Sequence, residues 1–179
     1  KKEYEVMKIE DLINYDKLSK QKIKCSYYSD FDEQVIEKAT ELGMPLIGGT
    51  ALEILANHYG TSGVRKRSNS DLDFLSDDKA KIAKLRKYLV NNIDPDKVQV
   101  DVYTQVPKGW EKYIMKVDGV LVMSPAYLIW SKLTRWSEKD QTDIKWLLTI
   151  KQLSDDEINN TLDDLGVTQE EFERLESLL

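Results

Sequence analysis

Two rhythms of hydrophobic and polar positions divide the chain. Val35, Ile36, Ala39 and Leu42 recur at helical spacing, with Asp30 placed to cap the helix and Glu33 as its capping-box partner. Gly43 and Pro45 mark the stop. Leu46-Ile47 reads as a short apolar strand that Gly48-Gly49 breaks, and Leu52, Leu55, Ala56 and Tyr59 then trace a second helix ended by Gly60. Thr61 to Ser70 is polar, basic and small, which predicts a loop. Leu72 and Phe74 belong to a strand, and Ser76 is placed to cap a helix whose Ile82, Leu85 and Leu89 face the core. Val98, Val100 and Val102 alternate with polar partners as in a half-buried strand. Glu111 to Val117 and Val120 to Met123 flank Asp118-Gly119, a hairpin turn.

The character changes at Ser124-Pro125, an N-cap followed by proline at the first helical position. Helical patterns run from Pro125 to Trp136 and from Asp140 to about Gln152; Ser154 with Glu157, and Thr168 with Glu171, predict two further capped helices. The opening to about Lys24 has no clear period and predicts no element. The fold class is therefore α+β. A mixed β-sheet core flanked by helices spans residues 1–123, and a C-terminal helical region packed on it spans 124–179.

Composition narrows the class of protein. Of 179 residues, 41% are hydrophobic and 32% charged, which suits a soluble globular protein. No apolar run approaches the roughly 20 residues that cross a bilayer, and the opening Lys1-Lys2-Glu3-Tyr4-Glu5 lacks the apolar stretch of a secretory signal. The single cysteine, Cys25, can make no internal disulfide, so a reducing, cytoplasmic setting is expected. A net charge of -6 argues against broad non-specific nucleic-acid binding. Lys79 to Lys87 could form a local basic patch, but a solvated helix face explains it better.

Three features carry chemistry. On a strand, Asp71 and Asp73 point to one face while Leu72 and Phe74 point to the other. Two neighbouring carboxylates repel unless a cation lies between them, and hard oxygen ligands suit Mg²⁺, with Mn²⁺ as a substitute. Asp101 lies on the polar face of its strand with Gln99 and Tyr103, and a third carboxylate there could share ions with the pair. Two ions about 4 Å apart can activate an attacking oxygen and steady a leaving phosphate. Gly48-Gly49-Thr50 joins a strand to a helix N-terminus, where free N–H groups, a close backbone approach and a hydroxyl can receive phosphates. Competing motifs fail. There is no GxxxxGK[ST], and an EF-hand loop from Asp71 would need Gly and Glu where Ser76 and Ile82 stand. The sole histidine, His58, can build no histidine metal cluster.

The stretches LIGGTALEIL (Leu46 to Leu55), RKRSNSDLDF (Arg65 to Phe74) and VQVDVY (Val98 to Tyr103), in that order, resemble the polymerase-β-type nucleotidyltransferase superfamily. They are most similar to its bacterial AbiEii-like branch, which includes toxins of toxin–antitoxin systems. SPAYLIWSKLTRW and EKDQTDIKWLL (Ser124 to Leu148) extend the similarity, which covers about Leu46 to Leu148. The interval from Gly49 to Asp71 is long for this superfamily, which marks Thr61 to Asn69 as an inserted loop.

The resemblance implies a nucleotidyltransferase with Asp71, Asp73 and Asp101 as catalytic and metal-holding residues. Gly48, Gly49, Thr50, Arg67, Ser70 and Lys132 would bind the nucleotide, Lys132 at its phosphates, and Arg135 and Lys139 fall near the same helical face as Lys132. The substrate would be a nucleoside triphosphate. The acceptor could be tRNA, a protein or a small molecule, and a cognate antitoxin would be the protein partner. A non-catalytic nucleotide-binding or regulatory protein on the same fold is the alternative, and a phosphodiesterase using the same carboxylates is a third.

Overall fold

The computed structural model describes residues 6–8, 30–60 and 71–179. The opening segment with Cys25, the capping role expected of the Asp30 side chain, and the segment expected as a loop, with Arg65, Lys66, Arg67, Ser68 and Ser70, lie outside the described residues.

Among the described residues six strands form one mixed sheet: β1 (Val6–Lys8), β2 (Leu46–Ile47), β3 (Asp71–Leu75), β4 (Gln99–Tyr103), β5 (Ile114–Val117) and β6 (Val120–Met123). Their spatial order is β1-β4-β3-β2-β6-β5. The β3/β4 and β2/β6 pairs are parallel, and the other pairs are antiparallel. Helices α1 (Asp30–Glu41), α2 (Gly48–Tyr59) and α3 (Lys79–Asn92) flank the sheet, α1 packing on α3, β3 and β6 and α2 on β2, β3 and β5. The expected α+β architecture is present. The change of character falls where predicted, between β6 and the helices α4 (Pro125–Arg135), α5 (Glu138–Leu147), α6 (Asp155–Asp164) and α7 (Gln169–Glu176). One buried apolar cluster runs through both parts, from Val35 and Phe74 to Trp130, Ile144 and Leu175.

Local chemistry shifts several element boundaries. The N-cap of α3 is Asp78, whose carboxylate accepts from the N–H groups of Ala80 and Lys81. Ser76, expected in that role, is buried and accepts from the Asp78 N–H instead. The first residues of the predicted strand at Glu111 form a 3-10 turn, Trp110–Tyr113, so β5 starts at Ile114. Helix α5 starts before Asp140, because Ser137 and Asp140 make a reciprocal capping box, and it ends at Leu147. Thr168 and Glu171 cap each other as predicted, whereas at Ser154 the bond from the Glu157 N–H is the capping contact found. Lys79 to Lys87 lie on α3, where Ile82 and Leu85 are buried and Lys79, Lys84 and Lys87 are exposed.

The end of α4 is held from three sides. Trp136 terminates it in the left-handed region at φ 56°. Arg174 reaches across from α7 to donate to the Leu133 carbonyl at 2.7 Å and lies over the Trp136 ring. Thr134 donates to Glu171 at 2.8 Å. Inside this corner Lys132 is only 2% exposed, with its ammonium 2.9 Å from Asp143 and 3.8 Å from Asp140. Burial pushes the Lys132 pKa down, while the charges of Asp143 and then Asp140 work against that fall. Burial likewise opposes the Asp140 carboxylate, but bonds from Ser137 and the charges of Arg135 and Lys132 outweigh it and hold its pKa below the usual range.

Removing one partner of a buried ion pair strands the other charge, which costs about 3–5 kcal/mol. Lys132→Ala should therefore lower stability by about that amount, and Lys132→Met, which refills the volume, by less. Urea denaturation followed by tryptophan fluorescence checks this. A Lys132→Ala protein of undiminished stability would remove Lys132 from the packing scheme.

Candidate active site

The site is built where three polar positions of the sheet meet the start of α2. Strand β3 alternates as its sequence dictates: Leu72 and Phe74 are in the core, Asp71 is exposed and Asp73 half-buried. The parallel register sets Asp73 directly beside Asp101 on β4, and Asp71 beside Gln99. Adjacent strands lie about 4.8 Å apart, so Asp73 and Asp101 are close neighbours. Asp101 is 9% exposed, much deeper than the half-buried strand pattern alone suggested. Asp71 is the carboxylate nearest solvent.

On the other side of β3, β2 runs antiparallel with Ile47 opposite Asp73. The chain turns there into α2 through Gly48 at φ +73°. A Cβ on Gly48 would stand 2.6 Å from Oδ2 of Asp73. The left-handed backbone favours glycine at this position, and a side chain there would also push the Asp73 carboxylate aside. The N-cap residue of α2, Ile47, gives no side-chain cap and the first turn holds no acidic residue, so the positive end of the helix dipole lies beside the Asp73 carboxylate. Thr50 is buried and its hydroxyl donates to the Asp71 carbonyl at 3.4 Å, which ties α2 to β3.

Tyr103 shares the polar face of β4 with Asp101 and senses the acids. Its pKa is pushed up to about 12, first by burial and then by the negative charge of Asp73, with Asp101 and Asp71 adding to it. The charge of Arg135 acts in the opposite sense, which brings the end of α4 into the same neighbourhood. Arg135 is exposed, and Asp140 accepts its guanidinium at 2.9 Å. Three like charges concentrated on one face fit a divalent cation as their natural counter-charge. Among the described residues, however, no three acidic, His or Cys side chains are gathered into a ready-made metal cage.

The structure therefore brings together Gly48, Gly49, Thr50, Asp71, Asp73 and Asp101. Lys132, expected at the nucleotide phosphates, is instead committed to Asp143 and Asp140, because it lies on a face of α4 covered by α5. Arg67 and Ser70 lie outside the described residues. Tyr103 was absent from the expected site set, although its place two residues after Asp101 on an alternating strand was the available signal.

Residues 28–177 match a protein family described as "Nucleotidyltransferase of unknown function (DUF6036)". The match covers most of the chain, and the chain belongs to that family. No curated protein matches the chain, and no solved structure does.

Two expectations follow from this geometry. Gly48→Ala should displace the Asp73 carboxylate and lower stability by roughly 1–3 kcal/mol, measured by denaturation beside an Asn57→Ala control at an exposed position of α2. A Gly48→Ala protein with unchanged stability would refute the contact. The second concerns alkaline pH. Tyr103 and Tyr113 are both raised to about 12, Tyr113 by burial and then by its hydrogen bond to Asp164. An unfolded tyrosine loses its proton near pH 10, so the folded state keeps protons that the unfolded chain releases. Stability should be complete below about pH 10 and fall as the pH rises towards about 12. Asp73→Asn should move the Tyr103 part of the tyrosinate absorbance titration to lower pH. An unshifted titration would separate Tyr103 from the acids.

Proposed function

We propose that this member of the nucleotidyltransferase family transfers a nucleoside monophosphate from a nucleoside triphosphate to an acceptor hydroxyl. The observation that carries the reading is the pairing of Asp73 with Asp101 across β3 and β4, beside the uncapped N-terminus of α2. Gly48 and Gly49 let the triphosphate approach the first N–H groups of the helix. Thr50 would reach a phosphate only by giving up its long bond to the Asp71 carbonyl. Arg135, held by Asp140, is a cation placed to balance charge near the acids, and Arg67 and Ser70 would extend the nucleotide contacts from the preceding loop.

Asp71, Asp73 and Asp101 would hold Mg²⁺, or Mn²⁺ in its place. Such an ion uses one or two protein carboxylates and completes its shell with phosphate and water oxygens, which suits carboxylates that share a face without forming a cage. When bound it supplies charge neutralisation for the phosphates. The chain's own work is positioning. Asp101, the deepest of the three, accepts the proton of the acceptor hydroxyl as its oxygen bonds to the α-phosphorus. The bond from the α-phosphorus to the bridging oxygen breaks, and pyrophosphate leaves. Fixed donors and aligned reactants account for most of the rate gain in phosphoryl transfer of this kind.

The similarity to AbiEii-like proteins supports a finer reading, in which the protein acts in the cytoplasm as the toxin of a toxin–antitoxin pair and is restrained by a cognate protein. No described helix is long and apolar enough to cross a membrane.

The test is transfer of label from each of four α-labelled nucleoside triphosphates in cell extract with Mg²⁺, repeated with Mn²⁺. Label on one acceptor class is expected with the intact protein, falling at least roughly 100-fold in Asp73→Ala. Undiminished transfer by Asp73→Ala would overturn the assignment. No transfer with any nucleotide or ion would leave the non-catalytic nucleotide-binding or regulatory protein as the reading. Release of free mononucleotide from a polynucleotide would instead indicate a phosphodiesterase.

A further inference from the structure

The proposed transfer takes an acceptor hydroxyl, and the chain itself holds one on the polar face of the site. On β4, Gln99, Asp101 and Tyr103 alternate with Val100 and Val102, which are in the core. Asp101 and Tyr103 therefore share a face, about 6.6 Å apart along the strand. The parallel register sets Asp101 beside Asp73 and Tyr103 beside Leu75. One strand across and two residues along make Asp73 and Tyr103 diagonal neighbours, about 8 Å apart at the backbone. An aromatic side chain covers such a span.

The ring and the hydroxyl have different surroundings. Leu75, beside Tyr103 in the register, is fully buried. The tyrosine ring packs on the core while the residue as a whole stays half-buried. The hydroxyl is at the charged end. After burial, the charge of Asp73 weighs most on it, then that of Arg135, then those of Asp101 and Asp71. It therefore lies among the carboxylates that hold the metal ion and accept the proton in the proposed transfer.

An acceptor held there need not be captured from solution. Strand β4 is paired on both sides, by β1 and by β3, so the Tyr103 backbone is fixed relative to Asp101 and Asp73. A well-aligned group held beside its reaction partner behaves as if present at roughly 10⁵ M or more. Tyrosine oxygen also serves as a nucleophile in covalent transfer. Thr50, the hydroxyl at the start of α2, is buried and donates to the Asp71 carbonyl at 3.4 Å. Among the described tyrosines, Tyr59, Tyr88, Tyr113 and Tyr127 stand on other elements, and Tyr103 alone stands on a strand that carries the acids.

We propose that Tyr103 is itself an acceptor: the protein transfers a nucleoside monophosphate onto its own Tyr103 hydroxyl. The inference rests on the transfer reading above and names an acceptor for it. The Tyr103 oxygen bonds to the α-phosphorus of the nucleoside triphosphate. The bond from the α-phosphorus to the bridging oxygen breaks, pyrophosphate leaves, and the phenolic proton passes to the Asp101 carboxylate. The product is a phosphodiester between the tyrosine and the nucleoside, tethered in the site that made it.

The full chain is incubated alone with Mg²⁺ and each of the four nucleoside triphosphates, then weighed by intact-protein mass spectrometry, with the extract assay run beside it. A gain of one nucleoside monophosphate group per chain is expected with at least one nucleotide, mapped to Tyr103 by peptide fragmentation. The gain should be absent in Tyr103→Phe and in Asp73→Ala, both shown folded by circular dichroism. An Asp73→Ala chain mixed with intact protein should stay unmodified, because the hydroxyl and the acids that serve it belong to one chain. A gain on another residue, a gain that persists in Tyr103→Phe, or modification of the Asp73→Ala chain in the mixture would overturn the proposal. No gain while label still reaches an acceptor in extract would overturn it and leave the transfer reading intact. No gain and no label would remove both.

Discussion

Mutual repulsion between carboxylates is the constraint around which this molecule is arranged. Asp73 and Asp101 are neighbours on parallel strands, with Asp71 two residues away on the same face. Left to themselves such charges would splay the strands or draw protons. The fold opposes both tendencies by construction. Leu72, Phe74, Val100 and Val102 anchor the opposite face of the same strands in the core, so the acids cannot turn away without exposing apolar surface. Gly48 closes over Asp73 from the side, and the positive end of α2 faces the group it would otherwise have to avoid.

The C-terminal helices bring the balancing charge to the same place. Asp140 is shared by the Ser137 cap, Arg135 and Lys132, so one carboxylate orients the start of α5 and the cation at the end of α4. Lys132 and Arg135 are three residues apart on one helix yet divide the labour. Lys132 is inside and holds α4 to α5; Arg135 is outside and its field reaches Tyr103 on β4. The end of α4 is further fixed by Arg174 and Glu171, from a helix whose residues lie about forty positions along the chain. The helical region therefore contributes to the electrostatics of the sheet as well as to the core.

Features governed by neighbours in the chain were legible in the sequence. Alternation put Asp71 and Asp73 on one face of β3, Asp118-Gly119 made the β5–β6 turn, and Thr168 with Glu171 made the last capping box. What escaped was decided across distance. The burial of Lys132 depends on Asp140 and Asp143 from another helix, and its own spacing resembles that of a surface cation. Ser76 lost its cap to Asp78 because a carboxylate two residues on reaches two backbone donors and the serine is drawn into the core. β1 pairs along the outer side of β4, a pairing that three residues of extended chain do not announce. The contact between Gly48 and Asp73 needs the β2–β3 register, and no motif states it.

The place of β1 has a consequence for how the chain can be handled. It covers β4 on the side away from β3, with Lys8 opposite Asp101, so the strand that carries the most buried of the three site acids has partners on both sides. A shortened version beginning at α1 would leave β4 as an open edge, its backbone donors and acceptors free to pair with another molecule. Such a fragment would keep every acid of the site and nearly the whole family match, yet in the test tube it would be prone to self-association, and its yield would report on that edge rather than on the chemistry of the acids.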